Sequence, residues 1–137
     1  MKKYLLLFST LLSFCFSVFA APLPKELVSD FKGLNIQDVR QDITLTDGIL
    51  WIKLNYDAPI PETMGSSVIF DDVCISVYQR PEIWKKYNIK QIRVTTLVEW
   101  KAYVFNGGVK ECLDVWTKNG AAEKYKQSPY FVEWQRE

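Results

Sequence analysis

The chain has 137 residues, 48% hydrophobic, 24% charged and 15% aromatic, with a formal charge of +1. That is room for one domain, and it excludes a disordered polyelectrolyte, a collagen-like or low-complexity chain, and a two-domain enzyme. There is no histidine, which removes the commonest general base and the commonest metal ligand, and the near-zero charge supplies no field for nucleic acid.

Met1-Lys2-Lys3 precedes an apolar run over residues 4–20 that leads into Ala21-Pro22. Two cations, an apolar core and small residues before a cut are the layout of a secretory signal peptide. Val18 and Ala20 stand at −3 and −1 of the best cut. The expected division is a cleaved signal peptide over residues 1–20 and a single α+β domain over residues 21–137. At 17 residues the run is short for a bilayer span, and Phe14 before Cys15 is too large for a lipid-attachment signal. The mature chain is therefore expected in a periplasm or outside the cell, with no membrane span.

Cleavage removes Lys2 and Lys3 and leaves 15 basic and 16 acidic groups, a net charge of −1. It also removes Cys15 and leaves Cys74 and Cys112. Two cysteines in an exported chain read as one disulfide. No C-x-x-C and no histidine are present to activate a thiolate.

The mature chain opens on Ala-Pro-Leu-Pro, then a short amphipathic helix over 25–31 stopped by Gly33. Residues 39–46 alternate, with Val39, Gln41, Ile43 and Leu45 on one face. Asp47-Gly48 follows, then a second alternating run over 49–56. Asp-Gly between such runs predicts a hairpin with a type I′ turn. Leu50, Ile52 and Leu54 point inward on this reading, and Trp51 and Lys53 outward.

Pro59 and Pro61 end the hairpin. Residues 62–79 are rich in β-branched residues, yet Met64, Val68, Asp71, Ile75 and Tyr78 run at near-helical spacing after Pro61. A helix with Cys74 on its buried side is expected. A second helical segment spans 81–87. Residues 89–106 are strand-rich and too long for one strand, so two strands with a turn near 97–100 are expected. Their parity puts Ile92, Val94, Trp100, Ala102 and Val104 inward and Arg93, Lys101, Tyr103 and Phe105 outward. A helix over 109–118 should carry Cys112 and Trp116 inward and stop at Gly120. One more helical turn over 121–126 and a last strand over 130–134 complete the chain.

The fold class is thus α+β: an antiparallel sheet of four or five strands, two or three helices on one face, and one disulfide. Asp71-Asp72 would diverge on a helix and cannot serve one proton transfer. Asp57, Glu62 and Asp71 match no calcium-loop spacing. Asn106-Gly107-Gly108 before a helix reads as a turn rather than an anion site. Serines 29, 66, 67, 76 and 128 have no histidine partner. No catalytic residue, metal or cofactor is expected.

Trp51, Lys53, Arg93, Lys101, Tyr103 and Phe105 fall outward by parity and form the expected binding patch, since aromatic residues beside cations are the composition of interface hot spots. Charge is also uneven. Residues 21–79 carry 4 basic and 9 acidic groups, whereas residues 80–137 carry 11 and 7. The profile is that of a small exported binding or accessory protein with another protein as partner, such as an inhibitor, an immunity protein or an envelope-complex subunit. The alternative is a small envelope hydrolase using Asp or Glu carboxylates, which needs two of them facing one pocket.

Overall fold

The computed structural model describes residues 20–119 and 130–135. The expected signal segment before Ala20, the helix stop at Gly120 and the helical turn over 121–126 lie outside the described residues.

A 3-10 helix (Lys25–Phe31) comes first and buries Leu27 and Phe31. Helix α1 (Val39–Asp42) occupies what alternation predicts as the start of the first strand. The reason is local capping. The Asp38 side chain accepts the Arg40 N–H at 2.9 Å, and the Asp38 N–H donates to Asp42 Oδ2 at 2.8 Å. These two bonds close a helical turn and outweigh the period-2 pattern. Strand β1 is left with Ile43–Thr46 and strand β2 with Ile49–Leu54. Asp47 and Gly48 join them at φ 52° and 78°, the positive values a type I′ turn requires.

Residues 62–79 form one continuous helical rod: α2 (Glu62–Ser67), a π-helical stretch (Val68–Cys74) and α3 (Ile75–Gln79). The π stretch bonds each carbonyl five residues ahead, and the Ile75 N–H reaches the Phe70 carbonyl. The same carbonyl takes a second bond from the indole Nε1 of Trp116 at 3.1 Å, which ties the rod to the helix over 109–119. Gly65 lets the rod touch the sheet, for a Cβ there would stand 2.2 Å from the Tyr103 ring. Helix α4 (Pro81–Trp84) and a 3-10 turn (Lys85–Tyr87) then lead to β3 (Gln91–Thr96), β4 (Lys101–Phe105), α5 (Val109–Asn119) and β5 (Phe131–Gln135).

Among the described residues the sheet has five strands in the order β1-β2-β3-β4-β5. It is mostly antiparallel, but β2 and β3 are parallel. The expected antiparallel sheet of four or five strands is thus present, with one parallel pairing inside it. The helical crossover from β2 to β3 carries the chain back to the end where β2 began, which only a long connection can do. The free side of β1 is covered by the segment before the first helix. Leu23 N–H donates to the Ile43 carbonyl at 3.2 Å and Leu45 N–H to the Ala21 carbonyl at 2.9 Å, so this edge is blunted.

The core lies between the helices and one sheet face. Leu50, Ile52, Leu54, Ile92 and Val94 meet Leu27, Phe31, Ile69, Phe70, Val73 and Trp84 there. Cys74 and Cys112, both fully buried, are bonded and tie the π stretch to α5.

Strand β4 corrects the expected parity. Tyr103 and Phe105 are buried on the helix-bearing face, at 1% and 0% exposure, and Ala102 and Val104 turn to the other. The cause is register. The turn over 97–100, with Glu99 at φ 52°, pairs Ile92 with Phe105 and Val94 with Tyr103. Even positions of β3 thus face odd positions of β4, and every side chain of the strand changes face. Trp100, also expected inward, is 49% exposed at this turn beside Leu97 and Val98.

Candidate binding face

The sheet face turned away from the core carries Thr44 and Thr46 from β1, Trp51 and Lys53 from β2, Arg93 from β3, and Ala102 and Val104 from β4. The register sets Trp51 beside Thr44 on one side and beside Arg93 on the other. Trp51 is the wall between two hollows. The larger, about 440 Å³, lies over β1 and β2 and is lined by Thr44, Thr46, Asp47, Trp51, Lys53 and Glu99 among others. The smaller, about 280 Å³, lies over β3 to β5, with Trp51, Gln91, Arg93, Val104, Asn106 and Val132 among its lining.

Three of the six expected patch residues come together here: Trp51, Lys53 and Arg93. The guanidinium of Arg93 lies over the Trp51 ring, Cζ 5.1 Å from its centroid, a favourable cation–π contact. Lys53 pairs with Glu99 across the larger hollow. The other three are elsewhere. Tyr103 and Phe105 are core residues. The Tyr103 hydroxyl donates to the Ile60 carbonyl at 3.0 Å, and its ring stacks on Phe131 at 5.9 Å. Lys101 sits at the rim of the helix-bearing face, over the Tyr103 ring and 2.9 Å from Glu133. Its bond to Glu133, and after it Tyr103, hold the ammonium above the usual lysine value.

Two polar residues of the face were not singled out by sequence. Arg93 Nε donates to Gln91 Oε1, and Gln91 Nε2 donates to Asn106 Oδ1 at 2.6 Å. This relay fixes the guanidinium over the ring. Gln91 shares the parity of Arg93, which is a usable signal. Asn106 reads only as a turn residue, because its role depends on β4 returning beside β3.

Other constellations are already occupied from within. The Gly108 N–H at the start of α5 takes the Glu111 carboxylate at 2.8 Å, so the chain supplies its own anion at that helix start. In the larger hollow, Asp42 accepts from Asp38 and Glu99 is held by Lys53. Asp71 accepts from the Ser67 hydroxyl at 2.9 Å, and burial together with the Asp71 charge pushes the Asp72 carboxyl above its usual range. Ser76 donates to Asp30 at 2.6 Å and accepts the Trp84 indole N–H at 2.9 Å, while Arg80 also binds Asp30. That network ties the first 3-10 helix to α3 and α4. Among the described residues no group of three or more acids and cysteines is arranged to hold a metal, and no helix is long and apolar enough to cross a membrane. Comparisons of this chain with protein-family models, curated proteins and solved structures find no match.

Proposed function

We propose that this chain is a small exported binding or accessory protein without catalytic activity, which docks a partner protein on the Trp51 face of its sheet. The observation that carries this reading is Trp51 standing as the shared wall of two hollows on the sheet face away from the core, with Arg93 over its ring in the smaller one. Tryptophan and arginine are the residues most enriched among interface hot spots. Two of the carboxylates lining the larger hollow are engaged by neighbours, which favours docking over hydrolysis. Export is supported by the apolar leader, the small residues before Ala21 and the buried disulfide.

The deciding experiment compares the exported domain with its Trp51→Ala variant as baits in extract of the producing cell's envelope. A partner retained by the first and lost by the second is the expected result. Equal retention by both sinks the docking reading. Intact mass separately tests export: the secreted form should begin at Ala21, and retention of residues 1–20 removes that part of the proposal.

A further inference from the structure

The smaller hollow contains a cation that has no counter-ion among the described residues. Arg93 is partly buried, yet among the described residues no carboxylate lies within ion-pair distance of it. Its Nε is used by Gln91. Its Nη groups make no hydrogen bond among the described residues. The cation–π contact with Trp51 holds the guanidinium in place without supplying an oxygen acceptor, so the Nη donors have no acceptor among the described residues and can meet a ligand. Glu133 also lines this hollow, but Lys101 neutralises it at 2.9 Å. The floor is apolar, made by Ala102, Val104 and Val132.

From this geometry we infer that the Arg93 hollow is a receptor for a carboxylate carried on an apolar group, supplied by the docked partner protein. The inference rests on the docking reading above and names the chemistry of its centre. The two carboxylate oxygens meet the Nη edge as a bidentate pair, the strong form of this bond. The carbon skeleton lies on Val104 and Val132 against the Trp51 ring. An occupied site buries a charge that arrives already paired, whereas a neutral ligand leaves the guanidinium donors unmet.

Benzoate is a suitable probe and benzamide its neutral counterpart. Each is titrated into isotope-labelled protein while the Trp51 indole and Arg93 Nε–H resonances are followed. Benzoate should shift both with a dissociation constant on the order of 1–10 mM, the range expected for so small a ligand. Benzamide should bind about tenfold or more weakly, because it cannot form the charged pair. Arg93→Gln should abolish the benzoate preference, and Arg93→Lys should weaken it, since a point charge lacks the fork. Benzamide binding as tightly as benzoate, or benzoate binding unchanged in Arg93→Gln, overturns the proposal. The source of the carboxylate is tested by using Arg93→Gln as bait. Lost partner capture supports a protein carboxylate; unchanged capture with benzoate binding intact in the parent protein overturns that source and assigns the hollow to a small organic acid. The benzoate contrast needs no partner, so a failure of the Trp51→Ala capture experiment is read separately.

Discussion

The two faces of this sheet are built from alternate residues of the same strands, yet they obey different rules. On the helix-bearing face Ile52, Phe105 and Tyr103 are closed in by helices, and each side chain is defined by volume. On the other face Trp51 and Arg93 lie side by side on neighbouring strands, held by a cation–π contact and a relay of amides. The first face has large apolar groups that all found apolar partners. The second keeps a tryptophan beside a hollow and a cation with no carboxylate partner among the described residues. A residue's neighbours across the sheet, rather than its own polarity, separate structural aromatics from available ones.

The contrast is tested most severely by truncating one aromatic on each face. Phe105→Ala should destabilise by about 3–5 kcal/mol, the usual result of emptying a buried aromatic site. Trp51→Ala, at a half-buried site whose ring contacts Arg93, should lose less, about 1–2 kcal/mol. Urea denaturation of the two variants checks this, and equal losses would erase the distinction between the faces.

Opening the disulfide is next. Replacing both Cys74 and Cys112 with alanine should lower stability by about 4 kcal/mol on the chain-entropy view of a loop this long. The wild-type domain over residues 21–137, unfolded without reductant, should show no free thiol to a labelling reagent. Two labelled thiols per chain would contradict the bridge.

Gly65→Ala probes the contact between rod and sheet. The added Cβ meets the Tyr103 ring, so a loss of about 1–3 kcal/mol is expected from overpacking. A neutral result would mean that the ring moves freely, and Tyr103 would then be less firmly a core residue.

The smallest expected effect concerns Asp72. Its carboxyl is shifted upward in the folded chain, so the protonated form is favoured by folding. That contribution is present below the unfolded value and is lost as pH rises through the folded one. Asp72→Asn should therefore raise the melting temperature slightly at neutral pH and leave it unchanged near pH 3, below the ordinary aspartate range of about 3.9. A drop at neutral pH would show that the Asp72 charge is satisfied by a neighbour.

Legibility differed between elements for physical reasons. The Asp47-Gly48 turn, the strand β2 alternation and the helical rod over 62–79 were readable because each rests on short-range geometry or on spacing along the chain, and the Cys74–Cys112 bridge because two cysteines in a chain expected to be exported pair with each other. The first turn of α1 was missed because two bonds from Asp38 and Asp42 overrode the alternation. The candidate site was half readable. Trp51, Lys53 and Arg93 lie on β2 and β3, where parity counted correctly from the hairpin. Lys101, Tyr103 and Phe105 lie beyond the turn that shifted the count.

What the sequence determined by itself was therefore local: the turn that needs positive φ, the faces of β2, the rod, and the pair of cysteines left to bond. Two matters were decided only by the tertiary structure. One is the direction of the crossover, which made β2 and β3 parallel and set Trp51 against Arg93. The other is the register of β4 on β3. Alternation states which residues share a face within one strand but says nothing of which face the next strand presents. A turn containing one residue more or fewer exchanges the two, and only the burial of Tyr103 and Phe105 against the helices selects between them.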